Sequence, residues 1–220
     1  MNGFITQILL GSLITIKLAL CALIFGLCIG LIGSVLESVH NKYLRYLAVS
    51  FIFIVRGLPE LLVLFFIYFG LTFVLTTLSH HYVEISAFWA GVIALGMIFG
   101  AYASQVFKGA FLAIEKGQIE SARAIGFSPW QIFARIQLPQ AWRHALPGLG
   151  NLWLVLLKDT AIVTLIGLSD MMNAAKLAAS TTHQPFNYYV IAALIYLAMT
   201  TLSQIFMNYM THLKNRYVLS

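Results

Sequence analysis

The sequence predicts an all-α integral membrane protein of about five transmembrane helices, and three observations carry that prediction. Of its 220 residues, 60% are hydrophobic and only 9% charged, giving a mean hydropathy of +0.89, which is not the profile of a soluble globular domain. The apolar residues fall in runs of about 20 or more, the length a helix needs to cross a bilayer. Basic residues gather between the runs, in segments that the bias of Lys and Arg assigns to the cytoplasm. The formal charge of +6 would suggest nucleic acid in a soluble domain, but here topology accounts for it, and no nucleic-acid partner is expected. Cys21 and Cys28 lie within the first apolar run, with neither a metal spacing nor a disulfide framework around them. A cleaved signal peptide is not expected, because the N-terminus lacks a basic start and Lys17 interrupts the run.

Residues 8–36 form the first span, with Lys17 as its only charge. Gly26, Gly30 and Gly33 place small residues on nearby faces, as close helix packing requires. The polar turn 37–45 holds Lys42 and Arg45 and reads as cytoplasmic, which sets the N-terminus outside. The second span, 47–78, exceeds one membrane thickness and is bent or broken at Arg56, Gly57, Leu58, Pro59 and Glu60, where Gly and Pro weaken a helix. Arg56 and Glu60 are four apart, so an ion pair on one helical face is one possibility and a role in a path another. His80 and His81 sit in a short outward loop and point apart on a regular backbone, so no metal site is expected there. The third span is 85–106, with Tyr102, Ser104 and Gln105 near its inner end.

A polar loop, 108–147, separates the two apolar halves and gathers Lys108, Glu115, Lys116, Glu120, Arg123, Arg135 and Arg143. Inside it, 117–125 predicts a short helix stopped by Gly126, which takes a left-handed turn without a Cβ penalty. Ser128 then caps a second helix with Pro129 in its first position. Trp130, Ile132, Phe133 and Ile136 make that helix amphipathic, and Pro139 is expected to interrupt it. The fourth span, 149–168, carries Lys158, Asp159 and Thr160 near its middle, and ionisable residues there point to function. Neighbours on a helix project about 100° apart, so Lys158 and Asp159 need not face each other. Residues 169–187 form an outward segment with a short helix opened by Asp170. The last span is 188–210, and Lys214 and Arg216 end the chain inside.

The spacing of the polar loop resembles the cytoplasmic EAA loop of bacterial ABC importer permeases. Glu120, Ser121 and Ala122 are followed after three residues by Gly126, and after nine more by Ile136, Gln137, Leu138 and Pro139. Ser121 departs from the pattern, which has Ala there. Arg56 to Glu60 with the run Phe65 to Gly70, then Gly100 to Gln105, Leu146-Pro147, Gly150-Asn151 and Lys158-Asp159-Thr160 are similar to the polar amino-acid permease subfamily. Within it, the chain is most similar to the membrane subunits of arginine importers. Gln105 stands at a position that is often Glu, and Leu152 at one that is often acidic, so both departures remove negative charge.

That resemblance implies one transmembrane permease domain over 1–220, with the ABC type I importer fold, N-terminus out, C-terminus in and a cytoplasmic coupling helix. It implies a multi-pass subunit of the bacterial inner membrane that carries polar or basic L-amino acids, arginine first, with lysine, ornithine, histidine and glutamine as alternatives. The implied partners are an ATPase subunit dimer, a second homologous or identical permease, a periplasmic amino-acid-binding protein and membrane lipid. No cofactor belongs to this chain; it has no GxxxxGK[ST] loop, so ATP and Mg are implied on the ATPase. Asp159, Glu60, Gln105, Asn151 and Thr160 are the expected path residues. Glu120, Ser121, Ala122, Gly126, Trp130, Phe133, Ile136, Leu138 and Pro139 are the expected coupling residues, with Trp130 and Phe133 as anchors. A secondary transporter or channel is the competing class, but many such folds show an internal repeat, and none is found here.

Overall fold

The computed structural model describes residues 2–216 and is all-helical there, without strands. Helices α1 (Asn2–Ser38), α3 (Glu60–Ser79), α4 (Ala87–Leu112) and α9 (Pro185–Arg216) are joined by α7 (Leu138–Asp159), which continues as a 3-10 helix over Thr160–Ile166. Among the described residues, five segments are long and apolar enough to cross a membrane: Gly3–Ser38, Glu60–Ser79, Ala87–Leu112, Pro129–Ile166 and Pro185–Tyr209. The side chains of Lys214 and Arg216 lie outside the described residues.

The core is the parallel pair α1 and α4. Its closeness follows from small residues at matched heights: a Cβ on Gly30 would lie 2.7 Å from the Cβ of Ala103, and one on Gly26 would lie 2.7 Å from the carbonyl oxygen of Gly96. Such faces let backbones approach where lipid removes the hydrophobic drive between helices. The same face of α1 ends at Glu37, whose side chain is 3% exposed. Its carboxylate accepts from Gln105 Nε2 at 2.6 Å and pairs with Lys108 Nζ at 2.5 Å. Both partners lie on α4.

The stretch 47–78, expected as one span bent or broken at 56–60, is broken there into two helices. α2 (Lys42–Gly57) stops because Leu58 and Pro59 are extended, with ψ of 144° and 137°. The residue before a proline disfavours the α region, and Pro59 then opens α3. Helical i to i+4 geometry between Arg56 and Glu60 is therefore lost, and the Arg56 guanidinium lies 5.1 Å from the ring centroid of Tyr102 instead.

Pro139 does not interrupt its helix, contrary to expectation. α6 (Pro129–Ile132) passes into a π-helical turn, Phe133–Gln137, and then into α7. The N–H of Leu138 donates to the carbonyl of Phe133, five residues back. Widening this turn removes the i−4 register in which a proline ring meets a carbonyl, so Pro139 rides through at the start of α7. The span therefore begins well before residue 149, and the irregular part of the polar loop is shorter than 108–147.

α8 (Met171–Thr182) lies against α1 and α9. Asp170 caps it, its Oδ1 accepting from the N–H of Asn173 at 3.0 Å and from Thr164 Oγ1 at 2.6 Å, while the buried Oδ2 has no hydrogen-bond partner. Burial raises this carboxyl above its ordinary value of 3.8, and the Thr164 hydroxyl offsets part of the rise. A raised folded-state value means that the folded protein holds the proton more tightly. Stability is thus greatest below the unfolded value and falls as pH rises through the raised one. Thermal unfolding in detergent from about pH 4 to about pH 8 is expected to show this decline in the wild type and a smaller one in Asp170→Asn. Equal slopes would assign the decline to other groups.

Candidate functional site

Two backbone irregularities meet inside the bundle. α3 begins at Glu60, so this carboxylate sits in a first helical turn, where the positive end of the helix favours it. Across from it, α7 ends at Asp159 and tightens into the 3-10 turns that close at Gly167, whose φ is +92°. Non-regular backbone persists at membrane depth where it is buried or lines a cavity. Here it lines one of about 180 Å³, walled by Glu60 and Asp159 with Tyr102, Phe99, Ile98 and Leu152. That is smaller than the ~300–1,000 Å³ of drug-sized sites and suits one side chain or a fragment. Two carboxylates facing one largely apolar cavity repel, and a cation between them offsets both charges and their desolvation.

Of the five expected path residues, the fold brings Asp159 and Glu60 together and leaves three apart. Gln105 turns to Glu37 on α1, so its amide is engaged outside the cavity. Thr160 is buried, donates to the carbonyl of Leu157 at 2.7 Å and lies 3.4 Å from the Tyr196 hydroxyl. Asn151 is exposed and does not line the cavity. Leu152, noted as a lost acid, does line it, and so do Tyr102 and Phe99. Sequence reasoning missed Glu37 as the partner of Gln105. The available signal was its place on the face of Gly26, Gly30 and Gly33, at steps of four, three and four.

The turn at Gly126 and the cap at Ser128 fold as the sequence spelled them. α5 (Lys116–Ala124) ends in a Schellman turn: Gly126 N–H bonds the carbonyl of Arg123 and Phe127 N–H that of Ala122, each at 3.0 Å. Gly126 has a φ of +88°, a conformation glycine takes without strain. Ser128 and Gln131 then complete a capping box before α6. Trp130 is 72% exposed and stacks on Phe133, which stacks in turn on Phe111. Phe133 therefore braces Trp130 and is itself only half exposed. At the turn between α5 and α6, Ile125 is open as well, 73% exposed, and the sequence had not singled it out. Glu120 and Ser121 are also exposed, Ala122 is buried, and Ile136 and Leu138 are half-buried beside exposed Pro139.

Comparison with known proteins puts these features in company. A family model described as "Binding-protein-dependent transport system inner membrane component" matches residues 22–214. The chain is 50% identical over 204 residues to the arginine ABC transporter permease protein ArtQ of Haemophilus influenzae, covering 93% of this chain and 91% of that one. It is 40% identical over 205 residues to the histidine/lysine/arginine/ornithine transport system permease protein HisQ of Escherichia coli, covering 91% and 90%. In three dimensions it is similar to a solved amino acid ABC transporter crystallised with histidines, with a TM-score of 0.84, 32% identity and 96% of each chain covered. The methionine ABC transporter MetNI shares the fold at a TM-score of 0.78 and 18% identity.

Proposed function

The chain belongs to the family of binding-protein-dependent transport system inner membrane components, and from that membership we propose that it forms the arginine path of an ATP-driven importer, with Glu60 and Asp159 as its cation-selecting residues. It is the permease of an amino-acid ABC importer, a transporter subunit and not an enzyme. The single observation that carries the finer reading is the cavity where those two carboxylates meet. A guanidinium bonds bidentately to carboxylates and stays charged at any working pH. The arginine named for the ArtQ relatives supports the same choice, and the HisQ relatives support lysine, ornithine and histidine as weaker cargo.

The polar loop is the coupling element of this account. Ile125, just past the end of α5, and Trp130 of α6 form an exposed apolar pair for a groove on an ATPase subunit, which holds ATP and Mg and does the hydrolysis. A periplasmic amino-acid-binding protein delivers the substrate, and a second permease completes the path. The clustering of Lys42, Arg45, Lys108, Lys116, Arg123, Arg135 and Arg143 in the two polar stretches 37–45 and 108–147 supports a cytoplasmic loop, an external N-terminus and a bacterial inner-membrane location. Competition of labelled arginine uptake in proteoliposomes holding the whole complex tests the substrate assignment. Unlabelled arginine is expected to compete best, lysine, ornithine and histidine less well, and glutamine least. Equal competition by glutamine would contradict a cation-selecting path.

A further inference from the structure

The break at Arg56 to Glu60 sends its two charges to different places. Glu60 opens α3 and lines the cavity, whereas Arg56 ends outside it, with its guanidinium over the ring of Tyr102. Tyr102 is itself a wall of that cavity, so the cation stands against the cavity's boundary. Which end it marks follows from the pairing of α4 with α7. The two run antiparallel from the polar loop: Phe107 stacks on Trp142, and a Cβ on Gly148 would lie 2.8 Å from Val106. Farther along, Tyr102 and Leu152, then Leu95 and Asp159, line the cavity. Tyr102 and Leu152 therefore close it toward the polar loop, and Asp159 stands at the far end. Tyr102 lies ten residues before the end of α4 at Leu112, about 15 Å at about 1.5 Å per residue, so Arg56 is a charge at membrane depth. Cations there face a partner charge or a watery path rather than hydrocarbon.

Among the described residues the ion pair is Lys108 with Glu37, and Arg56 forms none. The chemistry of an amino acid supplies what it lacks. A cationic amino acid brings a side-chain cation, an α-ammonium and an α-carboxylate. Glu60 and Asp159 answer the side chain, and a cavity of about 180 Å³, which suits one side chain, leaves the groups on the α-carbon beyond it. With the side chain directed toward Asp159, those groups fall at the end of Tyr102 and Arg56. Two acids alone would repel the α-carboxylate, whereas a guanidinium meets it bidentately. Lys158 is no substitute, because it lies beside Asp159 at the far end and lines a different concavity. Glu60, Asp159 and Arg56 together carry a single net negative charge, complementary to the single positive charge of arginine.

We propose that Arg56 holds the α-carboxylate of the amino acid whose side chain enters the cavity. The inference rests on Glu60 and Asp159 as the cation-selecting pair, and it adds the residue that separates amino acids from simple amines. The test is competition between labelled arginine and agmatine, which is arginine without its carboxylate, on the whole membrane-embedded transporter in nanodiscs with no binding protein added. The wild type is expected to prefer arginine by at least about tenfold, the scale of a hydrogen bond to a charged group. Arg56→Gln and Arg56→Met are expected to erase that preference by weakening arginine without weakening agmatine, and Arg56→Lys to keep part of it. Arg56→Met guards against failed insertion, since it makes α2 more apolar. Asp159→Asn should instead weaken both ligands alike. An unchanged preference in Arg56→Gln and Arg56→Met, or no preference in the wild type, would overturn the proposal. Those results with both ligands still weakened by Asp159→Asn would leave the cation-selecting pair intact. Full arginine binding in Asp159→Asn, or none in the wild type, would end both.

Discussion

Asp159→Asn is expected to lower arginine uptake by reconstituted complexes at least tenfold while leaving complex assembly unchanged. Asn has nearly the same shape as Asp, and Asp159 is only partly buried at the end of α7, so the fold loses no packing. What it loses is one of the two carboxylates that line the cavity. A hydrogen bond to a charged group contributes about 1.5–3 kcal/mol, which is roughly a ten- to hundredfold change. Glu60→Gln is expected to act in the same direction. The double variant should lose less than the sum, because both groups act on one ligand. Leu152 sharpens the prediction: it is an apolar residue on the cavity wall, and the lining holds no third carboxylate beside Glu60 and Asp159. Wild-type uptake and selectivity in Asp159→Asn would make Asp159 a structural residue and place the path elsewhere.

Gly126→Val is expected to release the ATPase from the complex while the permease still inserts. A Cβ on Gly126 meets nothing within 4 Å, so sterics within the chain do not oppose the change. The φ of +88° does, because a β-branched residue in the left-handed region carries strain of about 1–3 kcal/mol. Relaxing that strain breaks the Schellman pair to Arg123 and Ala122 and moves Ile125 relative to Trp130. Gly126→Asn, which tolerates the left-handed region, should retain most binding, and Trp130→Ala should lose it by removing an exposed anchor. Co-purification of the ATPase with each variant decides the matter. Full retention in both Gly126→Val and Trp130→Ala would remove this loop from the docking surface.

What was legible in the sequence is what local chemistry determines. Gly126, Ser128 and Pro129 encode their turn and cap because each acts through its own backbone. The break at Gly57 to Pro59 was legible for the same reason. Span bounds shifted because Pro139, read as a stop, is accommodated by a π turn, which depends on the five residues before it adopting one register together. Gln105 and Thr160 lie outside the cavity for a different reason. Their polar groups are taken up by Glu37 and by the carbonyl of Leu157, and only the packing of α1 on α4 and the tightening at Thr160 reveal this. Asp159 and Glu60 are about a hundred residues apart in sequence. Nothing local announces that they share a cavity.

The most direct test is an experimental structure of the whole transporter with arginine trapped in the membrane. The account predicts ligand density in the cavity of Glu60 and Asp159, with the guanidinium between the two carboxylates and beside Tyr102. Ligand density that contacts neither carboxylate, with that cavity empty, would contradict it.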